Sequence, residues 1–401
     1  MRTLSLMLIS LSFGLIPVRA DDLKFERIVV DADFPGGYQV EVADVNGDKR
    51  PDIVALGGGI CAWYENPSWK KRIITNATQT PGVISSATID LDGDGKAEVA
   101  IAYDFEMNEP KRGNLLLAEQ GATVDDPWRL TPIGHRPGQG WGSIHRLRWG
   151  NFLAKDKPSL IVAPIFGEEA KPPLFTERGK IRIVLTHVSQ GKKSFDARSH
   201  IDEDALPVLH AIEVKDIDGD GYASILTASN LGVHLVRVVG GSEVGCQFRF
   251  TPLIPGASGD APKRGSSEVH LGALADGTRL LATLEPWHGN EVVVYTSDAP
   301  KSLKFGNRTV IDDTLADGHA LWVADVDKDG NDEIFAGHRG KDHRVSVYKY
   351  DGKTWIKTVV DREIAAQDLR GGDLDGDGAP DVVAIGGATH NVVWYRPIRK
   401  Q

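Results

Sequence analysis

Asp90-Leu-Asp92-Gly-Asp94-Gly-Lys-Ala-Glu98 runs without a break into Val99-Ala-Ile-Ala-Tyr103. Oxygen ligands at positions 1, 3, 5 and 9 of a tight loop suit a hard cation such as Ca²⁺, and glycine at position 6 permits the turn that brings them together. An EF-hand would require flanking helices and a glutamate at position 12. This loop instead opens into a β-type run, as a loop inside a hairpin does. Four more copies follow the same pattern: Asp44-Val-Asn46-Gly-Asp48 with Asp52, Asp216-Ile-Asp218-Gly-Asp220, Asp325-Val-Asp327-Lys-Asp329 with Glu333, and Asp373-Leu-Asp375-Gly-Asp377 with Asp381. They lead into DIVAL, SILTA, EIFAG and DVVAI. One such loop is weak evidence, whereas five in register define a repeat.

The spacing predicts the architecture. Two gaps between loops are too wide, and each contains a degenerate copy: His145 to Asn151 before SLIVAPI, and His270 to Asp276 before RLLATLE. The starts then fall at 44, 90, 151, 216, 276, 325 and 373, which makes seven repeats. Repeats of about 40–50 residues built from short strands are propeller blades. The expected fold is therefore an all-β, seven-bladed β-propeller of four-stranded blades. In blade 1, YQVEVAD, DIVALG, CAWYEN and KKRIIT read as strands A to D. The last blade supplies three strands, and the N-terminal FERIVVD matches a D strand that would complete it, closing the ring and removing an open sheet edge. A β-sandwich or a solenoid is the competing architecture.

Residues 1–20 combine Arg2, an apolar core and small residues at Val18 and Ala20, the pattern of a secretory signal peptide cleaved before Asp21. The expectation is a secreted or periplasmic protein in which residues 21–401 form one propeller, with no later run long enough to span a bilayer. Cys61 and Cys246 fall on roughly opposite sides of the ring, too far apart for a disulfide, and read as buried free thiols. The formal net charge is −10. The five loops carry 18 of the 56 acidic residues, and a Ca²⁺ in each would offset nearly all of the net charge, so the acidic balance reflects metal-site chemistry more than partners. No basic stripe of the kind nucleic-acid binding requires is present.

In a propeller blade, strand A lines the central channel. The A–B and C–D loops emerge on one face, and the D–A and B–C loops on the other. All five acidic loops are A–B loops. The long insertions (Asp104–Gly113, Phe166–Gly179, 134–143 and 255–267) fall on the opposite face, where a rigid scaffold would carry function. Six residues before each loop start stand Tyr38, Ile84, His145, His210, His270, His319 and Gln367. Four consecutive blades thus place histidine at the channel mouth. Two readings stay open: polar channel residues hydrogen-bonded to water, or a metal or acid–base cluster, since neutral imidazole binds Zn²⁺ and similar divalent metals. The segments Glu285-Pro-Trp287-His288 and Gly337-His338-Arg339 lie on the same face. Aromatic rings beside imidazoles and a guanidinium suit a polyhydroxylated ligand such as a sugar, although Trp287 also fits core packing and Arg339 a solvated loop.

The acidic loops and the apolar strands behind them resemble FG-GAP or VCBS repeats over residues 24–397. CAWYENPSWKKRII, SIHRLRWGNF, LATLEPWHGNEVVVY and GHALWVADVDKDGNDEIFAGHRG are similar to the propeller domain of aldos-2-ulose dehydratases. That resemblance implies a lyase eliminating water from keto- or anhydro-keto sugars at a metal-assisted site. The candidates it implies are His145, His210, His270 and His319, with His288, His338 and Arg339 nearby. The fungal enzyme continues into cupin-type domains that carry an isomerising step. These 401 residues show no counterpart, so only the dehydration is implied. The degenerate loops of blades 3 and 5 are expected to lack Ca²⁺. The alternatives are a carbohydrate-binding propeller without turnover and a protein-interaction scaffold. The Asp-box, WD40 and kelch signatures are all missing.

Overall fold

A computed structural model describes residues 23–134, 141–175, 178–179, 182–189, 192–199, 206–242 and 245–399. The leader at 1–20 lies outside them, as does the Cys246 side chain; Cys61 is buried and free.

Every regular element among the described residues is a β-strand. Seven four-stranded antiparallel sheets form, and a two-stranded ribbon (Arg178–Gly179 with Leu206–Pro207) is added on the insertion-bearing side. The innermost strands are Gly37–Ala43, Ser85–Ile89, Ile144–Gly150, Ala211–Lys215, Glu268–Ala273, Gly318–Ala324 and Ala366–Gly372. Each packs against the next, and the last packs against the first, so the ring is closed. Phe25–Asp31 pairs antiparallel with Val392–Pro397 and supplies the outer strand of the last blade. That is the closure the N-terminal stretch implied.

The middle strands are apolar along their whole length because neighbouring blades cover both of their faces. Asp52–Gly57, Ser159–Pro164, Ser224–Ser229 and Asp381–Gly386 are buried at every position. The core is accordingly a set of clusters between neighbouring blades, such as Val40, Ile53, Tyr64, Val383, Ile385 and Trp394 where the last blade meets the first. Polar staples reinforce three junctions. Asp31, Asp312 and Asp361 each end an outer strand and accept the phenol of a tyrosine in the next blade (Tyr64, Tyr348 and Tyr395) together with Lys71, Lys357 or Arg27.

The feature that positions the site is a β-bulge near the start of the inner strands. In four blades the pairing register slips by one residue, leaving Tyr38, His145, His319 and Gln367 as the extra residue. In the other three, Ile84, His210 and Ser267 donate their N–H to a carbonyl on the middle strand, at the residue that the next residue of the inner strand already faces. A bulge re-aims a side chain that regular alternation would turn the other way, and here it opens the same position in every blade.

Candidate functional site

Three of the bulge residues are histidines, and their backbone setting fixes their chemistry. His145 Nδ1 lies 2.7 Å from the carbonyl of His210, His210 Nδ1 lies 2.9 Å from that of Ser267, and His319 Nδ1 lies 2.6 Å from that of Gln367. In each pair the carbonyl belongs to the bulge residue of the next blade. A carbonyl only accepts, so each Nδ1 carries the proton and each Nε2 presents a lone pair. The rings are packed close, with centroids 4.6 Å apart for His145 and His210 and 5.0 Å for His210 and His319.

His288 completes the group from the loop after the middle strand of blade 5, where its backbone is left-handed at φ 49°. Its Nε2 is 3.0 Å from His210 Nε2, and its ring centroid is 5.1 Å from that of His319. One nitrogen from each of His210, His288 and His319 falls within 4.8 Å of the others. The residues fit a metal. His319 Nε2 is buried with no hydrogen-bond partner, and an unpaired buried lone pair beside two other imidazoles is the donor set of a borderline-soft divalent ion.

Electrostatics keep these rings neutral. Burial holds His145 and His319 well below the usual imidazole value, with nearby cations, Arg146 for His145 and Arg339 for His319, acting in the same direction. His288 is pushed down to about 4, mainly by burial. Burial also lowers His210, against the pull of Glu268, whose Oε1 is 3.1 Å from its Nδ1. Glu268 in turn pairs with the buried Arg146 at 3.2 Å. Neutral imidazole is the metal-binding form.

A polar and aromatic surround is built on these rings. Arg339 is held on three sides: Nε to Asp317 Oδ2 at 2.7 Å, Nη1 to Gln367 Oε1 at 2.9 Å, and Nη2 facing His288 Nδ1 at 3.1 Å. Trp287 packs against His288 and His210 and leaves its indole N–H unpartnered. Tyr38 Oη is 2.7 Å from His145 Nε2, and Phe105 lies against the same ring. Trp141 is part of the core, with its indole donating to the Ile133 carbonyl.

Of the seven predicted catalytic candidates, the structure brings together His145, His210, His288, His319 and Arg339. It excludes two. His270 is not a bulge residue. The A–B turn of blade 5 is shorter than in the other blades, so counting back six residues from Asp276 stops three residues short, and the equivalent residue is Ser267. His270 sits three residues further along the strand, 3.4 Å from Glu213. His338 ends the middle strand of blade 6 and turns its Nδ1 to the Ala316 backbone, away from the group. Sequence reasoning did not single out Tyr38, Glu268, Asp317 or Gln367 as site residues. Tyr38 and Gln367 did stand in the same aligned column as the histidines.

On the opposite face each acidic loop satisfies its first aspartate with its own backbone. Asp44, Asp90, Asp216, Asp325 and Asp373 accept N–H groups from residues three to five positions on. The position-9 carboxylates Asp52, Glu98, Glu333 and Asp381 are buried, and each accepts the N–H of the loop's second residue. Burial, with neighbouring carboxylates, pushes Asp52 and Asp381 up to about 7 and Glu333 up to about 9. Glu333 Oε1 and Asp381 Oδ1 accept no hydrogen bond, although Lys349 Nζ lies 3.9 Å from the former. Asp90, Asp92 and Asp94 approach closely, as do Asp325, Asp327 and Glu333, and Asp373, Asp375 and Asp381. The loops are not equivalent, however. Lys193 reaches Asp92 and Glu98 at 2.6 Å, Lys349 lies against Asp327 and Asp329, and Arg237 pairs with Asp218. Asp48, Asp220 and Asp377 each accept an N–H two residues on.

Comparison with known proteins supports the repeat and the propeller fold. The model of the FG-GAP-like repeat matches residues 44–101 and 325–384. The model of the aldos-2-ulose dehydratase β-propeller domain matches residues 115–298. Aldos-2-ulose dehydratase of Phanerodontia chrysosporium is 24% identical over 376 residues, covering 84% of this chain and 40% of its own length. The chain thus spans less than half of that relative. Among solved structures, a chain of the mitotic checkpoint complex superposes with a TM-score of 0.54 at 13% identity, covering 100% of this chain and 99% of that one. It shares the fold alone. A lectin of Agrocybe aegerita described as recognising terminal N-acetylglucosamine gives a TM-score of 0.49 at 15% identity, over 82% of this chain and 81% of its own.

Proposed function

Starting from a β-propeller that carries FG-GAP-like repeats and resembles the propeller domain of aldos-2-ulose dehydratase, we propose that this seven-bladed ring is a lyase. It dehydrates a keto- or anhydro-keto sugar at the histidine socket. The observation that carries this reading is the convergence of His210, His288 and His319, neutral and buried, beside an anchored arginine. These three residues would hold a divalent metal such as Zn²⁺. Bound there, the ion would polarise a ketone oxygen and acidify the neighbouring C–H.

The chain's own residues supply the remainder. Arg339, fixed by Asp317 and Gln367, offers N–H donors to a sugar oxygen without the entropy cost of a free side chain. Trp287 is buried in an apolar cluster with Phe166, Phe175 and Val208, and from there it packs against His288 and His210 and steadies them. Ser267 and Gln367 hold their imidazoles in one tautomer through backbone carbonyls, and Glu268 adds a carboxylate behind His210. Such outer partners are worth about 10–100-fold in metal affinity. The depth of the site excludes bulk water and strengthens every polar contact within it.

The acidic loops are proposed as structural Ca²⁺ sites. The buried, unpaired Oδ1 of Asp381 supports this most directly. Lys193 and Lys349 reach the loops at 90 and 325, Arg237 the loop at 216 and Arg399 the loop at 373, so these should bind Ca²⁺ less tightly than the loop at 44. The leader-like segment at 1–20 supports export. Binding of a sugar without turnover is the second reading, favoured by the half-buried aromatic rings of Tyr38 and Phe105 beside the socket.

The test is incubation with 1,5-anhydrofructose and with 2- and 3-keto-glucosides while following the ultraviolet band of an unsaturated ketone. The lyase reading expects the band to grow and the α-proton to exchange in D₂O. Calorimetric binding with neither signal would establish the sugar-binding reading instead.

A further inference from the structure

Below the socket the inner strands carry a second level of polar residues. Three positions beyond the bulge, five blades place Glu41, Arg148, Glu213, His270 and Arg370, midway between the socket and the acidic loops. Just above them stand Arg146, Glu268 and Asp368, one position beyond the bulge. The carboxylates of both levels are committed. Glu41 accepts from Gln39 and Ser86 on one oxygen and from the Thr88 N–H and hydroxyl on the other. Glu268 pairs with Arg146 and faces His210. Asp368 holds Arg370 at 3.0 Å and accepts the Val40 N–H. Glu213 accepts the Leu271 N–H and lies 3.4 Å from His270. Arg146, Arg148 and Arg370 each turn Nη1 to the carbonyl of the preceding residue. Arg146 and Arg370 also meet a carboxylate at hydrogen-bond distance, and Arg148 does not. Its nearest carboxylate oxygen, on Glu41, is 3.9 Å away, and its Nη2 is buried with no hydrogen-bond partner.

We propose that Arg148 and Arg370 form a site for a small monovalent anion of the halide class inside the channel, with Arg148 Nη2 as its main donor. A buried guanidinium without a hydrogen-bonded carboxylate is unfavourable, and a neutral partner leaves its charge uncompensated. Burial, and after it the charge of Arg370, push Arg148 down to about 10, so Arg370 is the neighbouring charge that acts on it most. An anion close to both guanidiniums offsets that repulsion and receives charge-assisted hydrogen bonds from their planar forks. Size and charge argue for a halide. The two side chains are only 17% and 16% exposed, which leaves a narrow approach. Glu41 and Asp368 lie beside the same guanidiniums and would repel a dianion such as phosphate. The inference is independent of the lyase reading, because it invokes neither the metal nor the sugar.

Chloride is exchanged for the much larger isethionate at constant ionic strength, so that screening is unchanged, with calcium and zinc held constant. The wild-type protein is expected to melt several degrees higher once chloride reaches about 100 times its Kd. It is also expected to broaden the chlorine-35 resonance until bromide displaces the chloride. Arg148→Met keeps an unbranched stem and removes the fork, and it should lose both effects. Arg370→Met should weaken chloride binding by about tenfold or more, the scale of one charge-assisted hydrogen bond, and it carries the comparison if the first variant does not fold. Wild-type crystals soaked in bromide should show an anomalous peak against Arg148 Nη2. Absence of broadening by the wild type, equal broadening by wild type and variants, or no bromide at Arg148 would overturn the inference and leave this guanidinium solvated by water alone.

Discussion

The two faces of this ring hold polar groups in opposite ways. An acidic loop is complete within one blade. Its ligands lie within nine residues, and it remains largely open to solvent, with its first aspartate satisfied by the loop's own N–H groups. The histidine socket belongs to no single blade. Tyr38, His145, His210, His288, His319 and Gln367 come from six different blades, and their imidazoles are held through carbonyls of the neighbouring blade. Damage to one loop should therefore be local, whereas the socket depends on closure of the whole ring. The contrast also separates roles. A hard cation on exposed carboxylates stabilises a hairpin, while a buried group of neutral imidazoles can hold a softer ion and exclude water.

The largest expected effect is on turnover. His210→Ala or His319→Ala should reduce dehydration to background while shifting the melting temperature by only a few degrees. A large fall in melting temperature with intact specific activity would show that the socket is scaffolding and erase the contrast between the faces. Removal of calcium should act in the reverse sense. Dialysis against EGTA should lower the melting temperature by several degrees, because a ligand present at 100 times its Kd contributes about 2.7 kcal/mol. Unchanged melting with no calcium in the purified protein would leave the loops as self-satisfied turns.

The acid limb of stability offers a sharper separation. Burial alone would raise the Asp312 carboxyl, but hydrogen bonds from Lys357, Thr314 and Tyr348 outweigh it and hold the group down at about 2. A group depressed in the folded state stabilises the fold above its unfolded value. That contribution, on the order of 2 kcal/mol, is lost as pH falls from about 4 through about 2. Asp312→Asn should flatten the melting curve in that window while leaving socket chemistry at neutral pH untouched. A parallel, undiminished acid slope in the variant would assign the loss to other carboxylates. The smallest effect is expected at His270→Ala, with turnover within about threefold of wild type because this imidazole lies outside the group. Abolished turnover would restore the four-blade ring that plain counting suggests.

The fold was legible because its signal is contiguous and repeated. The Asp-x-Asp-x-Asp loops and the apolar strands after them predict blades one at a time, and Phe25–Asp31 looks like the outer strand it becomes. The site was legible only through that period. Counting back from the loops found His145, His210 and His319 because six of the seven hairpins share one length. It failed at blade 5, where a shorter A–B turn moves the bulge to Ser267. His338 looked equivalent to Arg339 in sequence, yet His338 ends its strand with its ring on the Ala316 backbone, while Arg339, just beyond the strand, reaches Asp317 and His288. Asp317 carried no local signal, since its role depends on the arginine at the far end of the same hairpin, 22 residues on. Glu268 carried a faint one, as a carboxylate inside an apolar inner strand whose partner Arg146 lies two blades away.

The central claim is that the buried imidazoles hold a transition metal. It is tested most directly by elemental analysis of the protein after loading with zinc and dialysis without chelator. The account predicts about one zinc or similar divalent ion per chain, retained in His270→Ala and lost in His319→Ala. No transition metal after loading, or equal retention in both variants, would contradict it.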